Sequence, residues 1–299
     1  MAVYKRTYRR YEGALTPEWS RFMVPMRFAF EDLYRSRILA MLLLGSAIVP
    51  ASAAFIIYLR HSAAAALLVG TNASRMLAIN EEFFMTILGW QSMLCFFVTA
   101  FVGPGLVSPD LANNALPLYL SRPFSRTEYV LGKLSVLLTL QSAMTWVPGL
   151  LLVALEGYLE GNGWLGANLH IVSGLFLGSW IWMLVLSMLA LALSAWVKWK
   201  PVAGALLFGV FFVMGGFAAA INGILRTRWG NLLNISHLIG AVWVSLFERP
   251  IRRGAGAVFF RVSRAEEIPI WACWLALSAI LVACLWLLNR RIRGVEVVS

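Results

Sequence analysis

Long apolar runs, each bounded by charge, glycine or proline, recur through the whole 299-residue chain. A run of about 18 or more apolar residues is long enough to cross a ~30 Å hydrocarbon core as a helix. Inside that core every backbone N–H and C=O needs an internal partner, so such a run has little choice but to be helical. Taken in order, the runs predict six spans, at about Ile38–Leu59, Phe83–Val107, Tyr129–Leu155, Leu169–Leu193, Val202–Ile224 and Ile268–Leu288. A composition of 60% hydrophobic and 13% charged residues lies far outside the range of soluble domains. The expected class is an all-α polytopic membrane protein. It divides into an amphipathic cytoplasmic or interfacial segment (1–37), a single six-helix transmembrane domain (38–288) and a basic cytoplasmic tail (289–299).

The net charge of +11 is not a nucleic-acid footprint, because no soluble basic domain exists to hold a duplex. Basic residues flanking spans belong to membrane orientation. Cys95, Cys273 and Cys284 all fall inside apolar runs. The last two share a helix but lie about 16 Å apart by helical rise, too far to bridge, and no metal spacing is formed. The first apolar run begins only after a charged segment, later than the core of a cleavable leader, so it is expected to remain as a span. In that segment Thr16-Pro17-Glu18 reads as a helix start, and Trp19, Phe22, Met23, Met26, Phe30, Leu33 and Tyr34 repeat at helical spacing, with Pro25 as a kink. Two readings stand: a helix in the headgroup region, or one packed on the protein's own surface.

Within the spans, Pro50 predicts a kink, Pro148 falls inside the third span, and Gly103-Pro104-Gly105 is expected to break or bend the second span near its end. Gly174 and Gly178 form a GxxxG pair, and Gly215, Ala219 and Gly223 a second small-residue stripe. Packing within the protein is the reading preferred over a dimer seam. Residues 229–247 are apolar enough to suggest a seventh span, which the positive-inside count marginally favours. The pattern argues otherwise: Leu232, Ile235, Ile239, Trp243 and Leu246 line one side, while Asn231, Asn234, His237, Ser245 and Glu248 leave a wet strip. An amphipathic exoplasmic segment (225–269) between spans five and six, carrying an interfacial helix, is therefore expected.

The most informative polar stretch lies between spans two and three. Ser108-Pro109-Asp110 has the chemistry of a helix start, with a hydroxyl cap, proline at the first position and an acid at the positive end of the dipole. Leu111, Ala115, Leu118 and Tyr119 share one face. Arg122-Pro123 stops the helix, and Ser125-Arg126-Thr127-Glu128 has capping-box spacing for a second one. Two short rigid pieces hinged at an Arg-Pro step would form a knuckle on the membrane surface.

The string Leu118-Tyr119-Leu120-Ser121-Arg122-Pro123-Phe124-Ser125-Arg126, followed by Tyr129-Val130-Leu131-Gly132-Lys133, resembles the cytoplasmic loop of type-two ABC exporter permeases. The match covers about a tenth of the chain, and the number and spacing of apolar runs extends it loosely to the rest. Pro109 and Asn113-Asn114 depart from the family's pattern, where a basic and a small residue are expected. The resemblance implies a coupling loop that seats in a cleft on a separate ATPase subunit. The seated segment would run from Asp110 to Glu128, with Arg122 and Arg126 as the charged contacts, Tyr119 and Phe124 the apolar anchors, and Pro123 the hinge. For the two arginines, anchoring to lipid phosphate is an equally weighted alternative. The resemblance also implies a second permease copy, homo- or heterodimeric.

Chemistry is otherwise sparse. Gly132-Lys133-Leu134-Ser135 lacks both the upstream glycine loop and the hydroxyl directly after lysine, so no phosphate cradle is formed. His61, His170 and His237 fall at or beyond span ends and not in facing pairs, so neither metal nor cofactor is expected. No catalytic constellation can be assembled, and the chain is not expected to be an enzyme. The span centres carry no ionisable residue of the kind that ion-coupled carriers use. Gln91 and Gln141 are the deepest strong hydrogen-bonding groups. They serve either a pathway or interhelical hydrogen bonds, the second being preferred. The expectation is a permease subunit of the plasma (inner) membrane with a cytoplasmic N-terminus, driven by a partner ATPase. The alternative is a non-transporting scaffold or force-transmitting subunit that engages a periplasmic or other accessory protein through the arginine-rich outer segment.

Overall fold

The computed structural model describes Pro17, Ser20 and residues 23–62, 79–113, 125–161, 163–248 and 268–291. Every regular element among them is helical. In chain order these are α1 (Met23–Tyr34), α2 (Arg37–His61), α3 (Glu81–Ala112), α4 (Arg126–Met144), α5 (Trp146–Glu160), the single turn α6 (Trp164–Ala167), α7 (Leu169–Trp196), α8 (Lys200–Phe208), a π segment (Gly209–Val213), α9 (Met214–Leu225), a 3-10 turn (Trp229–Leu233), α10 (Ile235–Leu246) and α11 (Ile270–Arg291). Six stretches are long and apolar enough to cross a membrane: Arg37–His61, Glu81–Ala112, Arg126–Glu160, Leu169–Trp196, Lys200–Leu225 and Ile270–Arg291. They coincide with the six runs read from the sequence, each ending within a few residues of its expected bounds.

Helix starts follow local chemistry. Ser36 caps α2 by accepting from Leu39 N–H, and Asn80 caps α3 by accepting from Glu82 and Phe83 N–H. Ser125 caps α4 in a complete capping box with Glu128, as its spacing predicts. At the N-terminal end Ser20 turns back onto the Pro17 carbonyl, and the described helix runs from Met23 to Tyr34; Thr16, Glu18, Trp19 and Phe22 lie outside the described residues. Pro25 lies near the start of the described part of α1. Met26, Phe30 and Leu33 of α1 pack against the bundle, and a groove runs between α1 and Ser135 and Thr139 of α4.

α3 and α7 form the centre and are mostly buried, whereas α2, α8–α9 and α11 lie outside them. These outer helices expose large apolar side chains such as Met41, Leu44, Ile48, Phe55, Phe217, Leu275 and Trp286, a surface suited to lipid and not to water. Small residues set the closest approaches. A Cβ added to Gly103 would lie 2.9 Å from the Ala190 Cβ of α7. Phe96 is the hub for α8 and the π segment, with ring centroids 4.9 Å from Phe208, 5.0 Å from Phe211 and 6.0 Å from Phe212. Pro148 ends a helix upstream of itself. It offers no N–H to the Met144 carbonyl and its ring crowds that oxygen, so α4 stops at Met144 and Thr145 turns the chain into α5 at φ −112°, ψ −91°.

The 229–247 stretch departs from its expected setting. It forms the 3-10 turn and α10, whose 12 residues rise about 18 Å, too short to span. The polar strip is not wet throughout: Asn231 and His237 are buried, while Ser245 and Glu248 stay exposed. The reason is that α10 wedges between α7 and α11 instead of lying on a surface. Its Trp243 sits over Gly178 and its Phe247 over Gly174, so the GxxxG pair serves packing within the chain. The indole Nε1–H of Trp243 donates to the Gly178 carbonyl at 2.9 Å.

Candidate functional site

The polar stretch between spans two and three is anchored at both described ends. Residues 114–124, which include Tyr119, Arg122, Pro123 and Phe124, lie outside the described residues. On the near side α3 does not break at Gly103-Pro104-Gly105 and does not restart at Ser108. It runs unbroken to Ala112 with Pro104 and Pro109 inside it. α7 packs against this stretch through a serine. The hydroxyl of Ser194 accepts from Ser108 N–H at 3.0 Å and donates to the Pro104 carbonyl at 3.2 Å, bridging two groups four residues apart on the α3 ladder. Ser108 is thus not a cap. Its own hydroxyl donates across to the Val197 carbonyl at 2.7 Å, and both serines are fully buried.

Two residues further on, Asp110 faces α4. Its Oδ2 lies 2.9 Å from Lys133 Nζ and accepts from the Tyr129 hydroxyl at 2.7 Å. Tyr129 is fully buried and Lys133 nearly so, with the ammonium 5.6 Å from the Tyr129 ring centroid. The end of α3 is therefore clamped to the first two turns of α4, and the segment joining them springs from a fixed base. Asp110 belongs to this base. Arg126 is exposed on the first turn of α4, and Glu128 holds the capping box that starts it. Nothing in the spacing of Asp110, Tyr129 and Lys133 announces the clamp, and neither Lys133 nor the Ser108–Ser194 cluster was singled out by sequence for such a role.

Deeper in the bundle Gln141 donates to Thr99 Oγ1 at 2.8 Å and accepts from Ser187 Oγ at 3.1 Å. This ties α3, α4 and α7 together and gives Gln141 the interhelical role expected of it. Gln91 is fully buried on α3, and both of its amide atoms lack a hydrogen-bond partner among the described residues.

The far end of the bundle places two of the histidines at span ends beside carboxylates. His61 faces Glu156 at 3.1 Å and Glu160 at 3.7 Å, and His170 faces Glu81 at 3.4 Å. The span ends that carry them are adjacent in space although distant in sequence. Among the described residues, His61, Glu156 and Glu160 offer a set of possible metal-ligand atoms lying within 4.8 Å of one another.

In comparisons with known proteins, no protein-family model and no curated protein matches this chain.

Proposed function

We propose that this chain is the membrane subunit of an ABC exporter, worked by a separate ATPase that docks on the 108–128 segment. The observation that carries the reading is the base of that segment. The Asp110–Lys133–Tyr129 clamp joins the ends of two spans. The Ser108–Ser194 cluster joins them in turn to the central α7. A push on residues 114–124 would be delivered to α3, α4 and α7 together, as a coupling lever requires. The loop string that resembles exporter permeases occupies just this position.

In this reading the loop and both chain ends are cytoplasmic, the protein lies in the plasma (inner) membrane, and 225–269 faces the exterior. The ATPase pair closes on ATP, displaces the knuckle and rocks two copies of the bundle between inward- and outward-open arrangements. Arg122 and Arg126 meet charge on the ATPase, and Tyr119 and Phe124 anchor the contact. Replacing both arginines by Glu should abolish co-purification of the ATPase while membrane insertion persists. Undiminished co-purification would refute the contact, and an anchoring role in lipid would then account for the two charges.

A further inference from the structure

α2 ends at His61 and α5 ends at Glu160, and the two C-termini lie side by side at the end of the bundle away from the Asp110 clamp. Each C-terminus carries roughly half a negative charge from its helix dipole. Glu156 and Glu160, one turn apart on α5, add two carboxylates where that dipole already disfavours them. Glu156 is fully buried. A buried carboxylate in such a field requires a cation.

Arg60 supplies only part of what is needed. Its guanidinium nitrogens stand 3.4 Å from Glu156 Oε1 and 3.6 Å from Glu160 Oε2, well outside the ~2.7–2.9 Å of a tight charge-assisted hydrogen bond. Two carboxylates against one guanidinium leave the cluster negative whenever the imidazole is neutral.

Two of the three separations among the remaining donors bracket that of a coordination shell, and all three atoms lie within 4.8 Å of one another. A tetrahedral zinc ion with bonds of about 2.0–2.1 Å places neighbouring ligand atoms roughly 3.4 Å apart. His61 Nε2 lies 3.1 Å from Glu156 Oε2 and 3.7 Å from Glu160 Oε2. Arg60 takes the other oxygen of Glu156, so Oε2 stays open to an ion while the guanidinium orients the carboxylate from behind, as outer partners of metal ligands do. Glu160 is 38% exposed and gives the ion a way in.

We propose that His61 Nε2, Glu156 Oε2 and Glu160 Oε2 form a binding site for one divalent ion of the zinc class, with water completing the shell. The ion joins the end of α2 to the end of α5 and restrains those span ends against each other. The site is independent of the transport reading and stands or falls without it.

The test uses untagged full-length protein in detergent, stripped with a chelator and titrated with zinc by calorimetry, with thermal unfolding in parallel. One zinc per chain is expected, together with a melting temperature that rises with added zinc. Glu160→Gln, at the exposed rim, and His61→Gln should each weaken binding about tenfold or more, and Arg60→Gln, which removes the outer partner of Glu156, should weaken it as well. A cluster held by ion pairing alone gives no stoichiometric zinc and a melting temperature indifferent to it. Either result overturns the site, as does zinc bound with unchanged affinity in both Glu160→Gln and His61→Gln.

Discussion

Lys133 Nζ lies 2.9 Å from Asp110 Oδ2, a nearly buried ion pair that closes the base of a segment whose middle is remote from it in sequence. Asp110 also accepts from Tyr129, so removing the carboxylate strands both a hydroxyl and an ammonium. Leaving one member of a desolvated pair alone is more damaging than removing both. Asp110→Asn and Lys133→Met should each destabilise the protein by roughly 2 kcal/mol, the rim exposure of Asp110 keeping the figure below that of a fully buried pair. The double variant should recover part of that loss. A double-mutant cycle on thermal unfolding in detergent checks it, and strictly additive losses would mean the two groups do not act as a pair.

Ser194 ties α7 to α3. Its hydroxyl accepts from Ser108 N–H and donates to the Pro104 carbonyl, and it also faces the Ser108 hydroxyl at 3.1 Å. Ser194→Ala removes these buried contacts and should cost about 1 kcal/mol. Ser108→Ala removes the facing hydroxyl. The double variant should lose less than the sum of the single losses. Unfolding midpoints of the four proteins read this out.

Gly178 sits beneath the Trp243 indole, and an added Cβ would meet Cδ1 and Nε1 at 3.1 Å. The carbonyl of the same residue accepts from that indole, so the ring cannot retreat without giving up its hydrogen bond. Gly178→Ala should therefore destabilise by about 1–3 kcal/mol, and Gly178→Leu should undock α10. The oligomeric state in detergent should remain unchanged in Gly178→Ala. A shift toward monomer with normal Trp243 burial, seen by tryptophan fluorescence, would assign the stripe to a seam between copies instead.

The six spans were legible because run length and backbone satisfaction act on the local sequence alone. The Ser125 capping box was legible for the same reason. What the residues did not disclose was set by neighbours far along the chain. Gly103-Pro104-Gly105 and Ser108-Pro109-Asp110 carry every local sign of a break and a restart, and α3 passes through both while packed on α7, whose Ser194 hydroxyl bonds Ser108 N–H and the Pro104 carbonyl. Asn231 and His237 read as a wet strip, yet α10 lies between two helices and the strip is half covered. His61 read as a span-end residue, and its glutamate neighbours come from another span end far along the chain. For Asp110 the local pattern described a helix start, and only the approach of α4 gives its carboxylate a partner.

The same contacts bear on which side each end of the chain occupies. Arg291 at the end of α11 stacks 5.7 Å from the Trp196 ring at the end of α7, and Trp196 Nε1–H donates to the Leu287 carbonyl. The end of α7 is also the end held to Ser108, beside the Asp110 clamp. α2, in contrast, finishes against Glu156 at the opposite end, so its start at Arg37 belongs with the clamp. With α10 too short to cross, both ends of the bundle sequence emerge on the side of the 114–124 segment. A reporter fused after Ser299 should therefore share the compartment of one placed before residue 23, and a cysteine introduced at exposed Arg126 should be labelled only from that side. A C-terminal reporter in the opposite compartment would require Trp229–Leu246 to cross the bilayer, and α10 would have to leave its place between α7 and α11 to do so.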